Sequence, residues 1–204
     1  MLKPLFKKDD KKIVRQALIH KRQALPVSVR QMAEAKVAQV LEAFIAARRP
    51  ACVGTYMPVR GELDLIPLTK RLSAVRWALP VLPTSLPLDV QAGALRLHYA
   101  AWTSGNGLKK GEHDISIPID FIPVEPDLVL LPCVGFNAQG FRLGYGGGWF
   151  DRTLMDWRAS SRTPFAVGVA FACQVSESWR PESHDQCLDA MLTENGLQMF
   201  ANGV

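Results

Sequence analysis

The spacing of apolar residues changes near position 50, from a helical period before it to strand-like runs after it. The first of two predicted helices begins at Asp9 or Asp10, whose side chains can cap it, and runs to about Leu25, since the next residue is a proline. Lys11 and Arg15 are four residues apart, so they lie on one side of this helix. From the spacing alone, we interpret the two cations as a solvated basic face.

The second predicted helix begins with Ser28, where Gln31 three residues later completes a capping box. It is expected to end near the Arg49-Pro50 pair, because proline cannot continue a helix. The apolar residues of this segment form one stripe that should face the core, composed of Val29, Met32, Ala33, Val37, Val40, Leu41 and Phe44.

From Ala51 onward, the pattern predicts strands alternating with helices. The run DLVLLPCV, from Asp127, is continuously apolar and therefore typical of a central strand covered on both faces. The other predicted elements are strands ACVGTYM (51–57), ALPVLP (78–83) and FAVGVAF (165–171), helices over 67–76 and 149–158, an exposed antiparallel strand over 95–102, and a loop over 103–112. We therefore expect an α/β fold, a single three-layer α/β/α domain over residues 1–204 with a mainly parallel, doubly wound sheet.

The stretch RLGYGGGWFDR (142–152) places four glycines between the central strand and a predicted helix. Ligands bind beyond the carboxyl ends of the strands in such sheets, and glycines there let backbone N–H groups approach a phosphate closely. The stretch matches neither the Walker pattern nor G-x-G-x-x-G, whose third glycine would fall on Trp149. A tight turn is the alternative, but one or two glycines suffice for a turn, so we favour a phosphate cradle.

Asp151 follows this cradle in the first turn of the predicted helix. A carboxylate at that position stabilises the helix dipole by about 0.3–1 kcal/mol. Beside a polyphosphate it would repel its neighbour unless a divalent cation lay between them, and Mg²⁺ is commonly held by one or two carboxylates plus phosphate oxygens. The pattern therefore indicates a Mg-nucleotide site.

Composition and charge exclude several other classes of protein. Apolar residues make up 48% of the chain and charged residues 21%, which is typical of a globular protein, and no apolar run reaches the ~20 residues of a membrane span. The first 25 residues are basic and lack the apolar core of a secretory signal. Four cysteines without a C-x-x-C pair argue against a zinc site and for a reducing, cytoplasmic location.

The net charge of +5 comes from one end of the chain. Residues 1–22 hold eight basic and two acidic side chains, whereas the rest holds 16 basic and 17 acidic ones. A nucleic-acid-binding protein should instead spread basic and aromatic residues over a whole face. We therefore expect small-molecule partners, with no nucleic acid and no membrane, and a monomer.

The glycine stretch closely resembles the signature of the 5-formyltetrahydrofolate cyclo-ligase family, Arg-Leu-Gly-x-Gly-x-Gly-aromatic-aromatic-Asp. Further similarities lie along almost the whole chain. They are the Lys-x-x-x-Arg pair on the first helix, GELD (61–64), LLPCVGFNAQG (130–140) before the glycines, and HDQCLDAMLTE (184–194) near the end.

The resemblance implies ATP- and Mg²⁺-dependent cyclisation of 5-formyltetrahydrofolate to 5,10-methenyltetrahydrofolate, with ADP and phosphate released. A relative that binds ATP and folate without turnover, as a regulatory protein, is the alternative. In the family's mechanism the formyl oxygen takes the γ-phosphoryl group, N10 attacks the resulting carbon, and phosphate leaves. Such chemistry needs positioned positive charge more than a protein nucleophile.

The resemblance also assigns residues to roles, which we retain as expectations. Arg142 and Tyr145 would be catalytic, and Asp151 and Asp185 would hold the metal, although Asp185 has an alternative interpretation as a loop acid. ATP would be bound by Lys11, Arg15, Arg142, Leu143, Gly144, Tyr145, Gly146, Gly147, Gly148, Trp149 and Phe150. The folate would be bound by Met57, Glu62, His113, Tyr145 and Trp149.

Glu62 fits the folate on chemical grounds, because a carboxylate accepts paired N–H bonds from the amino-pyrimidine edge of a pterin. A surface turn acid is its alternative interpretation, since exposed acids are the norm. The chain departs from the family pattern at Leu65, where threonine is usual, at Ile117, where glutamate is usual, and in the Trp149-Phe150 pair, which replaces a tyrosine-containing one. The Trp149-Phe150 pair loses a hydroxyl but keeps two flat aromatic rings for stacking.

Overall fold

A computed structural model of the protein describes residues 8–91, 96–160 and 163–200. The α-helices are α1 (Lys8–Gln23), α2 (Val27–Arg48), α3 (Ile66–Arg71), α4 (Leu88–Gln91) and α5 (Trp149–Ala159). The strands are β1 (Val53–Gly54), β2 (Trp77–Val81), β3 (His98–Trp102), β4 (Leu108–Lys110), β5 (Ser116–Pro118), β6 (Leu128–Pro132), β7 (Gly135–Phe136), β8 (Arg142–Leu143), β9 (Phe165–Val169), β10 (Ala190–Thr193) and β11 (Gly196–Met199).

Seven strands form the main sheet, in the order β11-β10-β9-β6-β1-β2-β3. The four inner pairings are parallel, and the two outer pairings, of β11 with β10 and of β3 with β2, are antiparallel. The predicted central strand is the fourth of the seven, β6, with Leu128 opposite Val53 on one side and Phe165 on the other. The prediction of a mainly parallel sheet is confirmed.

Helices cover both faces of this sheet, because successive side chains of a strand point to opposite sides. On β6, Leu128 and Leu130 pack into the same cluster as the buried residues of α2 and α3. Val129 and Leu131 pack on the other face, with Leu154 and other residues of α5. The three-layer α/β/α prediction is therefore confirmed.

The second helix differs from its prediction at its start and in its buried stripe. Pro26 precedes α2, and no side chain caps the helix, so the predicted Ser28 capping box is wrong. Val29 in the first turn and Met32 are 43% and 62% exposed. Met32 lies about 100° around the helix from Ala33, at 3.6 residues per turn, and so misses the sheet. The buried stripe is Ala33, Val37, Ala38, Leu41 and Ile45.

The strand boundaries also differ from prediction. The regular part of β1 is two residues, the third helix ends at Arg71, and the predicted loop over 103–112 contains β4, which pairs with β5. The outer strand β3 is antiparallel as expected but is not exposed, because Trp157 of α5 covers Tyr99 and Ile117 of β5 covers Ala100. The start predicted at Leu95 lies outside the described residues.

Across the described ranges, every helix is too short or too polar to cross a bilayer. The prediction of a single domain over 1–204 stays a prediction.

Replacing Leu130 with alanine should destabilise the fold by about 2–5 kcal/mol, because the fully buried side chain of β6 would leave a cavity between sheet and helices. The matched control is Leu88→Ala, which removes the same atoms from a side chain that is 85% exposed and should change stability by about 0.5 kcal/mol or less. Urea unfolding measures both. Equal losses in the two variants would contradict the assignment of β6 to the core.

Candidate functional site

A cavity of about 720 Å³ opens at the carboxyl ends of the parallel strands. Residues just after β1, at the end of β2 and at the end of β6 line it, including Tyr56, Leu82 and Pro132. This is the edge of the sheet at which the sequence predicted a ligand site. All residues assigned to binding, catalysis or metal by the family resemblance line this one cavity: Lys11, Arg15, Met57, Glu62, His113, 142–151 and Asp185.

The basic face of the first helix, α1, lines this cavity. The Lys11 ammonium is 2.8 Å from an oxygen of Asp185 and 3.1 Å from one of Glu182, and its side chain is buried. Arg15 donates from Nε to the carbonyl oxygen of Gly144 at 2.8 Å, and partial burial lowers the pKa of its guanidinium. The interpretation of these two cations as a solvated face is therefore wrong.

The glycine stretch is held at its start by a short ladder between β7 and β8 and leads directly into α5. Gly146 and Gly148 have φ angles of +105° and +66°, which side-chain-bearing residues rarely adopt. A Cβ atom on Gly144 would lie 2.7 Å from Nη1 of Arg142. Within the described residues no side chain caps the first turn of α5, whose residues Trp149 to Asp151 line the cavity, so its backbone N–H groups remain available to a ligand. The geometry fits an anion cradle.

Arg142 and Asp151 form a buried ion pair at the base of the cradle, with Nη2 2.7 Å from Oδ2. The other oxygen of Asp151 accepts the backbone N–H of Gln186 at 3.2 Å. Nε of Arg142 is buried and has no hydrogen-bond partner among the described residues, and the guanidinium lies 5.1 Å from the ring centre of Phe150. A buried donor without a partner is costly, so an additional acceptor is expected there.

The two predicted metal ligands, Asp151 and Asp185, line the same cavity, and each contacts a cationic side chain. In residues 8–91, 96–160 and 163–200, His, Cys, Asp and Glu side chains do not assemble into a group of three that could hold a metal. Two carboxylates still fit Mg²⁺, which keeps several waters and takes phosphate oxygens from its nucleotide. The donor set is thus suited to a metal that arrives with phosphate, and the metal assignment stays a prediction.

Glu62 is nearly fully buried, at 5% exposure, which overturns its alternative interpretation as a surface turn acid. One carboxylate oxygen accepts the hydroxyl of Tyr145 at 2.7 Å, and the other accepts the N–H of Val59 at 2.9 Å. Burial raises the pKa of this carboxyl, and these hydrogen bonds and Arg22 oppose the shift. The carboxylate is therefore held in one orientation at the cavity wall.

Sequence reasoning missed Arg22, which is fully buried beneath Tyr145 and Glu62. The signal was present in its spacing, because positions 11, 15, 18 and 22 of α1 repeat at the period of one helix face. Position 18 is the buried Leu18. The same face therefore carries two cations into the cavity and a third below it.

The remaining predicted residues lie around the cavity rim. His113 has a left-handed φ of +57°, and its exposed ring lies 3.2 Å from Glu112. Trp149 opens α5 with its ring 4.2 Å from the guanidinium of Arg152. An apolar wall that sequence reasoning did not assign is formed by Pro80, Leu82, Ile115 and Ile117. Leu65, in contrast, is buried in the core under α2.

Comparisons with known proteins place the chain in one family. The model of the 5-formyltetrahydrofolate cyclo-ligase family matches residues 7–194. The 5-formyltetrahydrofolate cyclo-ligase of Escherichia coli (strain K12) is 35% identical over 147 residues, which cover 69% of this chain and 76% of that protein. The NMR structure of the 5,10-methenyltetrahydrofolate synthetase of Aquifex aeolicus has a TM-score of 0.75 and 26% identity, and the match covers 95% of this chain and 94% of that one.

The 5,10-methenyltetrahydrofolate synthetase of Mycoplasma pneumoniae shares the fold, with a TM-score of 0.69 at 22% identity over 91% of this chain and 99% of that one. From the family match over most of its length, this chain belongs to the 5-formyltetrahydrofolate cyclo-ligase family.

Proposed function

We propose that this protein is an ATP-dependent ligase that closes 5-formyltetrahydrofolate to 5,10-methenyltetrahydrofolate and releases ADP and phosphate. One observation carries the proposal. A single cavity at the carboxyl ends of the parallel strands is lined by residues that are far apart in the sequence. They are Lys11 and Arg15 of α1, Glu62, the glycine stretch and Asp185.

The end of the cavity at α1 and α5 is suited to the nucleotide. Lys11, Arg15 and Arg142 surround the glycine stretch there, and the uncapped first turn of α5 adds partial positive charge. Fixed positive charge is what phosphoryl transfer requires of a protein. We assign the ATP phosphates to this end.

The end at Glu62 is suited to the folate. A buried carboxylate of fixed orientation can accept two N–H bonds from the pterin edge, and the apolar wall can cover the flat ring. Tyr145, Trp149, Met57 and His113 line the space between this end and the rim. The two substrates would then meet at the glycine stretch.

The proposed reaction balances as two displacements. The formyl oxygen attacks the γ-phosphorus, the bond to the β,γ-bridging oxygen breaks, and ADP leaves. The folate N10 lone pair then attacks the activated formyl carbon, the carbon–oxygen bond to phosphate breaks, and the N10 proton is lost. In this proposal Arg142 stabilises charge on the transferring group, and Tyr145 orients the folate.

Asp151 and Asp185 would hold Mg²⁺ together with the phosphate oxygens, and the bound ion would supply charge neutralisation at the transferring group. Each carboxylate would then bind the metal in place of the cationic side chain with which it is paired. The cations so released, Lys11 and Arg142, would turn to phosphate oxygens.

Two further properties belong to the proposal. All four cysteines are unpaired thiols, which supports a reducing, cytoplasmic location. The proposal also takes the protein to be a monomer that acts on small molecules.

The purified protein should convert 5-formyltetrahydrofolate to the methenyl form only with both ATP and Mg²⁺ present, because the cavity offers two carboxylates for a metal and cations for phosphate. The absorbance of the methenyl product measures turnover. Equal rates in EDTA or without ATP would contradict the proposal. Calorimetric binding of both substrates without product would identify the non-catalytic alternative.

Asp151→Asn should lower kcat at least tenfold and raise the Mg²⁺ concentration needed for half-maximal rate, because the amide keeps the shape but lacks the charge. Asp156→Asn, on the exposed side of the same helix, is the matched control and should leave both quantities unchanged. Rates measured over a Mg²⁺ titration, with thermal melting in parallel, give the comparison. If Asp151→Asn keeps the wild-type dependence on Mg²⁺, Asp151 does not hold the metal, and its role is only to pair with Arg142.

Arg15→Ala should weaken ATP use about tenfold or more, since a charge-assisted hydrogen bond to phosphate contributes about 1.5–3 kcal/mol. Arg15→Lys should recover part of the loss through charge alone. Lys12→Ala removes an exposed cation from the same helix and serves as the control. The ATP KM and kcat are measured at low ionic strength, where screening is weak. Values for both Arg15 variants within twofold of wild type would exclude this residue from the nucleotide site.

A further inference from the structure

Arg22 is a fully buried charge that makes hydrogen bonds in three directions. Nε donates to the carbonyl oxygen of Arg60 at 3.1 Å, and Nη1 donates to that of Cys133 at 3.2 Å. Nη2 donates to the hydroxyl oxygen of Tyr145 and, at 3.4 Å, to the carbonyl oxygen of Val59. A buried guanidinium is tolerated when its donors are satisfied in this way.

The chemistry of these groups fixes the direction of each hydrogen bond. A guanidinium has donors and no acceptors, so the Tyr145 oxygen accepts from Arg22 and its own hydrogen is directed to Glu62, 2.7 Å away. Nη2 of Arg22 also lies 3.8 Å from the same carboxylate oxygen of Glu62. Arg22 thus sets both the orientation of the tyrosine hydroxyl and the electrostatic surroundings of the carboxylate.

We propose that Arg22 is a positioning residue for the folate: from below the cavity, it aligns Tyr145 and keeps Glu62 negatively charged, so that the carboxylate can accept the N–H groups of the pterin. The inference rests on the proposed function, since it takes the pterin as the ligand of Glu62. Arg22 does not line the cavity and acts through the two residues that do.

Several charged or titratable groups surround Glu62 besides Arg22. Arg60, on the same turn, is exposed and lies 5.5 Å from the ring centre of Tyr145. Tyr56 at the end of β1 and Cys133 at the end of β6 stay neutral, because burial raises the pKa of both groups, that of the thiol to about 12. Arg60 is exposed to solvent, so Arg22 is the buried cation that opposes the desolvation of Glu62.

The sign of the expected pH effect follows from this arrangement. Burial raises the Glu62 pKa, and Arg22 lowers it. An opposite charge at this range favours the ionised form of a carboxyl group, so removing Arg22 should raise the pKa of Glu62 further. Protonated Glu62 cannot accept both pterin N–H groups, so folate use should fall as the pH drops through the raised pKa.

The test compares two variants. Arg22→Met removes every hydrogen-bond donor of the side chain, and Arg22→Lys keeps the positive charge but loses the planar set of guanidinium donors. In Arg22→Met, the acid limb of the pH profile of kcat/KM for 5-formyltetrahydrofolate should move to higher pH, because the pKa of Glu62 rises. In Arg22→Lys, the limb should keep its wild-type position while KM for the folate rises about tenfold, because one ammonium cannot reach Tyr145 and the carbonyl oxygens together. The control is Arg30→Met, which removes a cation that donates to the Arg22 carbonyl oxygen and should not move the limb.

A second readout needs neither substrate nor turnover. The carboxyl carbon of Glu62, assigned by its loss in Glu62→Gln, is titrated by NMR in the ligand-free protein. Its midpoint should rise in Arg22→Met and not in Arg30→Met. An unchanged midpoint in a folded Arg22→Met protein would overturn the inference. If Arg22→Met fails to fold, a folate KM of Arg22→Lys within twofold of wild type would overturn it. Absence of turnover in the wild type would overturn the proposed function instead, and the NMR titration would still decide the role of Arg22.

Discussion

The buried guanidinium of Arg22 is the constraint on which the site depends. A charge removed from water must find partners, and those of Arg22 come from the turn before Glu62, the end of β6 and the glycine stretch. These three segments carry the parts of the cavity wall that the proposed reaction needs. The partners of this buried cation, together with the packing of Leu18 of the same helix against Val134 and Leu143, hold α1 at the sheet edge, where Lys11 and Arg15 line the cavity.

The glycine stretch serves both ends of the cavity because neighbouring residues in it face different partners. The carbonyl oxygen of Gly144 accepts from Arg15, and the side chain of Tyr145 reaches Glu62 and Arg22. The left-handed φ angles of Gly146 and Gly148 then turn the chain into α5. One short loop thus connects the proposed nucleotide end to the proposed folate end.

Opposite charges in the cavity are paired with each other. Lys11 pairs with Asp185, and Arg142 pairs with Asp151. Pairing reduces the cost of holding four charged groups in a partly desolvated space. In the proposed complex, phosphate would compete with the carboxylates for the cations, and a divalent metal would compensate the carboxylates. This exchange would account for residues suited to ATP and residues suited to Mg²⁺ lying side by side.

Local signals along the chain were enough to predict the α/β class, the central position of β6 and the glycine cradle. A continuous apolar run predicts a strand covered on both faces, and four clustered glycines have few other uses. The family resemblance added the remaining site residues, and the structure brings all of them to one cavity. The surroundings of each side chain, in contrast, could be read only from the folded chain. The spacing of Lys11, Arg15 and Arg22 placed them on one helix face but could not show that this face is buried. Nothing local marked Glu62 as the neighbour of Arg22. The stripe of α2 was misjudged at Val29 and Met32, and β3 was judged exposed, for the same physical reason: burial depends on which distant segment packs against a residue, and that is a property of the folded chain.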